Sequence, residues 1–329
     1  MYLGTQFGAR TDADYETFKQ LGVNHINGFP EIAHQNWTAS NLMEYKEKVE
    51  SYGLELDMVQ LPLSSADLDT RAKSGEFYNI LTGKSPERDI EIDRICEIIQ
   101  MCSNAKIPAV KYNLNIIGIP RTDSEFGRGG AKLSTFKWDN ADKNSPDTIA
   151  GKVSEDIFWE RIEYFLDKVV PVAEENKVRL ACHPHDPYTP PGFKGVTRVL
   201  GTVEGLKKFI SIKESDFHGL NFCQGTITEM MENPGEEIFD VIRYFGERKK
   251  IFNVHFRNIR GNKLNFTEVF PDEGSINMYE AIKVYKEVNY PYMLMPDHVP
   301  QINAKDPKMT AFAYCYGYIN ALLQAINEL

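Results

Sequence analysis

The sequence predicts an α/β fold, a single (β/α)8 TIM barrel that takes in residues 1–329 as one catalytic domain. Segments with strand character alternate eight times with segments of helical periodicity, the pattern of a parallel barrel with its helices outside. The length is ordinary for such a barrel, which typically has about 250 residues plus insertions. Long connections follow the third and fourth predicted strands, and the last four strands each end near a side chain able to bind a metal.

The first half of the chain supplies four predicted strands. Thr11 is placed to cap the first helix, because a threonine side chain accepts hydrogen bonds from the free backbone N–H groups of a helix start. Gly53 stands where a helix commonly ends in a left-handed residue. The predicted strands are 2–7, 23–26, 55–60 and 108–112; the first predicted helix begins at Thr11, and the next two span 39–52 and 89–104.

Two long polar segments interrupt this regular order. Residues 61–88 are predicted to be an extended loop after the third strand. Residues 113–146, after the fourth strand, are rich in Gly, Ser, Thr, Asn and Asp, and the segment is too long for a plain connection. Since it follows a strand end, we predict that it is a functional lid.

The second half of the chain has four strands that each end at a potential metal ligand. These residues are His183, Cys223, His255 and Asp297. The helices predicted around them span 154–175, 203–212, 235–245, 277–288 and 308–329. In a parallel barrel the carboxyl ends of the strands meet at one mouth, so the four side chains should converge. A lone buried histidine is more often structural, but imidazole, thiolate and carboxylate at matching strand ends favour a divalent transition metal.

Other polar residues near these strand ends are candidates for contact with a substrate. His298 directly follows Asp297 and is placed to give or take a proton, or to orient a ligand. Arg257 should share a face with His255 and suits a bidentate bond to a carboxylate, although a salt bridge to a neighbouring residue is an equal alternative. His185 lies just past a strand, where a substrate contact and a simple turn are both open.

The bulk composition narrows the class of protein. The chain has 42% hydrophobic and 26% charged residues and a formal net charge of −10, which argues against nucleic acid as a partner. No apolar run approaches the roughly 18 residues of a membrane-spanning helix, so no membrane partner is expected. Five widely separated cysteines suit reduced thiols, and the N-terminus lacks the pattern of an export signal. We therefore expect a cytoplasmic enzyme, unless a signal has been removed; a homo-oligomer is left open.

With these motifs in place, the chain resembles the mannonate dehydratase family, metal-dependent enzymes of the xylose-isomerase-like barrel superfamily. The resemblance runs from the first strand to about Asp297. Its motifs are Lys111-Tyr-Asn113, Arg121-Thr-Asp123, His183-Pro-His-Asp-Pro187, Cys223-Gln-Gly225, His255-Phe-Arg257 and Pro296-Asp-His298. It implies that His183, Cys223, His255 and Asp297 hold a divalent metal, usually manganese. A thiolate ligand also admits zinc, iron or cobalt.

The resemblance also implies a reaction, the removal of water from D-mannonate to give 2-keto-3-deoxygluconate. His298 matches an acid/base position of the family. Of the residues expected to contact the sugar acid, Asn113, Arg121 and Arg257 would orient it, and His185 would add a further contact. A metal that holds the substrate carboxylate and an adjacent hydroxyl makes the hydrogen on C2 more acidic.

The chain departs from the family pattern at several places that face the substrate. Phe312 falls near the place of a family tyrosine, and we take Tyr314, close behind it, as the second catalytic residue. The family's His-Pro-Asp-Asp-Pro becomes His183-Pro-His-Asp-Pro187, and its His-Gly-Asp is replaced by Glu273-Gly-Ser275. Two other functions therefore stay open: a metal-dependent isomerase, epimerase or β-eliminating lyase for a neutral or keto sugar, and a non-catalytic barrel stapled by its metal.

Overall fold

The centre of the molecule is a closed barrel of eight parallel strands, seen in a computed structural model that describes residues 1–327. The strands along the chain are β1 Tyr2–Thr5, β2 His25–Gly28, β3 Glu55–Gln60, β4 Ala109–Asn113, β5 Thr122–Phe126, β6 Lys132–Lys137, β7 Arg179–His183, β8 His218–Cys223, β9 Ile251–His255, β10 Asn258–Asn262, β11 Asn265–Val269 and β12 Met293–Met295. Around the barrel they follow in the order β1, β2, β3, β4, β7, β8, β9 and β12, and β12 pairs with β1. The predicted barrel fold is confirmed.

Ten α-helices are found among residues 1–327. They are α1 Asp12–Gln20, α2 Ala39–Ser51, α3 Leu68–Ser74, α4 Pro86–Asn104, α5 Glu155–Asn176, α6 Val203–Ile212, α7 Gln224–Thr228, α8 Pro234–Glu247, α9 Met278–Glu287 and α10 Pro307–Asn327. Thr11 caps α1 in a reciprocal capping box with Asp14, as its position predicted. The end predicted for the last helix, 328–329, lies outside the described residues. In that described part, no helix has both the length and the apolarity to cross a membrane.

The two segments predicted to be irregular are ordered, which corrects the sequence-based interpretation. The segment 61–88 contains α3, capped by Asp67, and the first turn of α4. The predicted lid contains the hairpin of β5 and β6, which joins β11 and β10 in a four-stranded antiparallel sheet. The hairpin partners come from residues more than a hundred positions later in the chain, so no local pattern announced this sheet. It places Glu268, in β11, next to the barrel mouth.

Alternation along the barrel strands separates residues that face the helices from residues that face the interior. In β4, Tyr112 packs against Phe165 of α5, with ring centroids 5.7 Å apart. Ala109 belongs instead to a small cluster of buried side chains contributed by the barrel strands themselves. Since side chains alternate between the two faces of a strand, Lys111 and Asn113 share the interior face with Ala109.

Candidate active site

The four predicted metal ligands come together at the carboxyl end of the barrel. One ligand atom from each of His183, Cys223, His255 and Asp297 lies within 4.8 Å of all the others. Strand register explains the convergence, because Cys223 pairs with His255 across β8 and β9 and both end their strands. Cys223 and His255 are fully buried, and Asp297 closes the group from the loop after β12. The four residues therefore form one compact cluster, called the donor cluster below.

The histidine rings are held so that one nitrogen of each faces the donor cluster. His183 Nδ1 donates to Pro184 O at 2.7 Å, which leaves Nε2 as the free nitrogen. His255 Nδ1 is buried without a hydrogen-bond partner and lies 3.2 Å from Asp297 Oδ2. An unpartnered buried nitrogen costs about 1–3 kcal/mol. A bound cation would remove that cost, so the ring fits a metal ligand.

The second nitrogen of His255 faces an amide that can fix its tautomer. Asn221 Nδ2 lies 3.2 Å from His255 Nε2, and the Asn221 oxygen is directed at the Asn253 amide. A histidine that binds metal through Nδ1 carries its proton on Nε2 and needs an acceptor there. Turning both amides gives Nε2–H an oxygen acceptor and keeps the hydrogen bond between the two asparagines. The pair therefore suits a metal-bound imidazole.

Charge around the donor cluster favours the ligand forms of its side chains. Burial raises the pKa of the Cys223 thiol, but the charge of Arg257 and the neighbouring His255 outweigh it, and the net shift is downward. Burial likewise opposes ionisation of Asp297, yet His255 and His298 hold its pKa well below the usual range. Burial lowers the pKa of His183 to about 4, so that imidazole is neutral. Thiolate, carboxylate and neutral imidazole are the forms that bind a divalent metal.

Arg257 does not face the substrate, which corrects its predicted role. Its side chain is 3% exposed. Its two terminal nitrogens donate to Glu229 Oε1 at 2.8 Å and to Asp186 Oδ2 at 2.9 Å. Its Nε lies 3.5 Å from Asp297 Oδ2. The salt bridge to neighbouring acids, the alternative considered from the sequence, is the correct interpretation. Arg257 thus contributes positive charge beside the thiolate and the carboxylate of the donor cluster.

Replacing Arg257 by methionine should leave the buried Glu229 without its cation, and Asp186 with Arg121 alone. We expect the Arg257→Met variant to lose about 3–5 kcal/mol of unfolding free energy, the usual effect of breaking a buried ion pair from one side. Urea unfolding of the metal-free protein measures this without a contribution from metal binding. The matched control is Arg243→Met, because Arg243 pairs with Glu287 on the surface and should cost at most about 1 kcal/mol. Equal losses in both variants would contradict the assignment.

Arg121 is the arginine that reaches the cavity. Its guanidinium bonds Asp186 Oδ1 at 2.7 Å and also contacts Glu268, and its side chain is 17% exposed. The cavity has a volume of about 670 Å³ and is bordered by Arg121, Glu268, Asp297 and His298. This position supports the prediction that Arg121 orients a substrate.

His298 stands between the donor cluster and the second sheet. Its Nδ1 lies 3.0 Å from both carboxylate oxygens of Glu268, and its Nε2 lies 3.8 Å from Asp297 Oδ2. Burial lowers the pKa of His298, but the charges of Asp297 and Glu268 outweigh it and raise the value to about 10. The side chain is 34% exposed and borders the cavity. It is therefore a protonated imidazole that faces the space a substrate would occupy.

Three other predicted site residues are not placed as the sequence suggested. His185 is buried, with Nε2 donating to Leu114 O at 2.9 Å and Nδ1 accepting from Leu200 N at 3.2 Å, so both nitrogens hold loops and neither is free for a substrate. Asn113 Nδ2 donates to Leu63 O, which leaves its second N–H and its oxygen for the predicted contact.

Tyr314 is the third of these residues, and its side chain lies away from the cavity, which does not support the predicted catalytic role. The side chain is 41% exposed, and its ring packs edge-on against Phe270 at 5.7 Å between centroids. The Arg128 guanidinium lies 5.6 Å from the same ring. Tyr314 does not border the cavity, whereas Phe312, two residues earlier in α10, does.

Sequence reasoning missed one residue with a clear place in the site. Glu268 is 4% exposed, and it links His298 to Arg121 across the edge of the cavity. Its strand, β11, has no motif that marks a functional residue. Its register opposite Ile259 of β10, the strand that directly follows β9, brings Glu268 to the barrel mouth.

Comparison with known sequences points to one family. The sequence model of the D-mannonate dehydratase (UxuA) family matches residues 148–329. A mannonate dehydratase from Thermotoga petrophila is 28% identical over 321 residues, which cover 86% of this chain and 84% of that protein. A mannonate dehydratase from Shouchella clausii is 28% identical over 302 residues, which cover 81% of this chain and 78% of that protein.

Comparison with solved structures agrees with the sequence matches. The crystal structure of mannonate dehydratase from Streptococcus suis serotype 2 has a TM-score of 0.82 and 26% identity, covering 99% of this chain and 93% of that chain. The D-psicose 3-epimerase from Clostridium cellulolyticum H10 has a TM-score of 0.57 and 13% identity, covering 98% of this chain and 94% of that chain. The second similarity is one of fold alone.

Proposed function

Because the chain belongs to the D-mannonate dehydratase family, a family of sugar-acid dehydratases, we propose that its own substrate is D-mannonate. The protein is a carbon–oxygen lyase, and the proposed products are 2-keto-3-deoxygluconate and water. The observation that carries this proposal is the position of His298, a protonated imidazole, beside the donor cluster in a cavity that Arg121 also borders. An acid next to a metal-binding group is what the loss of a hydroxyl requires.

We propose that His183, Cys223, His255 and Asp297 hold a divalent metal, and that the metal is Mn²⁺. The unpartnered Nδ1 of His255 and the lowered pKa of Cys223 support this set of ligands. Zinc, iron and cobalt are the alternatives that a thiolate ligand admits. When bound, the ion supplies a Lewis acid that polarises the carboxylate and neighbouring hydroxyl of a sugar acid.

Protonation of the leaving group and binding of the substrate would fall to three side chains. His298 would donate its proton to the C3 hydroxyl, which leaves as water while the proton on C2 passes to solvent in the cavity. The enol formed between C2 and C3 then tautomerises to the 2-keto-3-deoxy acid. Glu268 would keep His298 protonated and hold its ring through Nδ1, so that Nε2 faces Asp297 and the cavity. Arg121 would bind an oxygen of the substrate while it stays paired with Asp186.

An isomerase or epimerase for a neutral or keto sugar is the second candidate. Phe312 favours it, because this apolar ring borders the cavity near the place where the resemblance puts a tyrosine. Arg121 favours the acid, because a guanidinium at the cavity suits a carboxylate. A non-catalytic metal staple accounts for neither the cavity of about 670 Å³ nor the protonated His298 that borders it.

The metal-loaded protein should convert D-mannonate and release a 2-keto-3-deoxy acid. The test is an assay against a panel of hexonates and keto sugars after reconstitution with Mn²⁺, Zn²⁺, Fe²⁺ or Co²⁺, with metal-stripped protein as the control. Turnover of a hexonate only in the loaded protein would support the proposal. Turnover of a keto sugar with none of any hexonate would instead establish the second candidate.

The remaining expectations are proposals as well. The closure of the barrel from β1 to β12 supports one catalytic domain for residues 1–329. All five cysteines are free thiols, which supports a reducing compartment such as the cytoplasm. Light scattering would distinguish a monomer from a homo-oligomer.

A further inference from the structure

Lys111 is a buried cation that the proposed mechanism does not use. It lies in β4 on the interior face of the barrel, two residues after Ala109, which packs among the buried side chains of the barrel strands. The residue is 5% exposed. Lys111 lies towards the carboxyl end of a barrel strand, and in this fold substrate sites form at the carboxyl ends of the strands.

The ammonium group has far fewer partners than the arginines of the site. Lys111 Nζ donates to Gln6 Oε1 at 2.5 Å. Among residues 1–327, no carboxylate oxygen lies within the 4.0 Å that defines a salt bridge to it. By contrast, Arg121 and Arg257 each pair with two or more carboxylates. A lysine ammonium has three donors, and a buried charge without a counter-ion is costly.

Gln6 joins this lysine to the donor cluster. Its Oε1 accepts from Lys111, and its Nε2 donates to Asp297 Oδ1. The other carboxylate oxygen, Oδ2, is the one that faces His255 Nδ1 at 3.2 Å. Gln6 thus keeps one oxygen of Asp297 turned towards the donor cluster and keeps the ammonium beside it.

The charges of the donor cluster leave the ammonium uncompensated once a metal is bound. The thiolate of Cys223 and the carboxylate of Asp297 together balance one divalent ion. Lys111 then adds a positive charge that no described carboxylate neutralises. Two neighbouring cationic centres repel each other unless an anion lies with them. A substrate with a single negative charge would complete this arrangement.

We propose that Lys111 determines specificity by binding the carboxylate of a sugar acid next to the donor cluster. The proposal rests on the proposed function, since it names the group that selects an acid over a neutral sugar. Arg121, which borders the cavity, is the second cation available to the substrate, and Gln6 positions the ammonium.

The test measures binding in the metal-loaded protein, by calorimetry, with D-gluconate and the neutral alditol D-mannitol as probes. Lys111→Met should weaken gluconate binding by at least about tenfold, the value of a charge-assisted hydrogen bond, and leave mannitol binding and metal content unchanged. Lys111→Arg should restore most of the gluconate affinity. The matched control is Lys250→Met. Lys250 is also a buried lysine, but it lies just before β9 and donates to Ser215 O, so gluconate binding should not change.

Several outcomes would overturn the proposal. They are an equal loss of gluconate and mannitol affinity in Lys111→Met, a loss of metal in that variant, and a wild-type protein that does not bind gluconate. Failure of the proposed function looks different. In that case the wild-type protein binds gluconate through Lys111 but dehydrates no hexonate, and the inference about Lys111 stands.

Discussion

Cys223→Ser and His255→Ala should each remove most of the metal from the protein and abolish turnover. Each substitution deletes one of four converging donors, and the serine hydroxyl stays protonated where the thiol has a lowered pKa. Changes to groups that only support a ligand already cost 10–100-fold in metal affinity, so loss of a ligand should cost at least about 100-fold. Metal content after dialysis, measured by plasma mass spectrometry, gives the result directly.

Two variants of similar chemistry serve as controls for this prediction. Cys182→Ser makes the same change in a buried cysteine that packs in the hydrophobic core. His218→Ala removes a buried histidine at the other end of β8, where its Nε2 donates to Phe209 O at 3.0 Å. Both controls should keep their metal. Full metal occupancy in Cys223→Ser and His255→Ala would show that the ligands lie elsewhere.

His298→Asn should lower kcat by about 10²–10⁴-fold while the metal stays bound, because a general acid contributes a factor of that size. The asparagine can still reach Glu268 but cannot donate a proton to a leaving hydroxyl. Steady-state kinetics together with metal analysis separates this effect from loss of the ion. His34→Asn is the control, since His34 borders a different cavity and should leave kcat unchanged. Equal rates for wild type and His298→Asn would remove His298 from the mechanism.

The pH profile gives an independent check on His298. The pKa of this imidazole is raised to about 10, and the acid form is the active one. Activity should therefore persist below that pKa and fall as the pH rises through it. Glu268→Gln removes one of the two carboxylates that raise the pKa, so the alkaline limb of kcat should move to lower pH. An unshifted limb would mean that another group limits the rate.

The overall fold was predictable because it depends on patterns that are local in the chain. The strand Glu55–Gln60 has the predicted bounds, and β8 and β9 end at Cys223 and His255 as predicted. The second strand was predicted to begin at Val23, which is buried. The observed strand β2 begins instead at His25, where its pairing with β3 starts. Pairing partners, rather than hydrophobicity alone, decide where a strand begins.

The second sheet was not predictable from the same patterns. Its strands are short and polar, and β6 pairs with β11 across a long separation in sequence, with Thr135 opposite Thr267. A polar segment rich in turn-forming residues looks the same whether it forms a loop or an edge hairpin. The prediction of an irregular lid failed for this reason.

By itself, the sequence determined the barrel and the convergence of His183, Cys223, His255 and Asp297, because parallel strands carry their last residues to one mouth. The neighbours of these four residues depend on the tertiary structure. It buried Arg257 among acids, placed Glu268 against His298, and linked the Lys111 ammonium to Asp297 through Gln6. The physical reason is that these contacts join residues far apart in the chain, and the charge and exposure of a side chain depend on partners that no local pattern records.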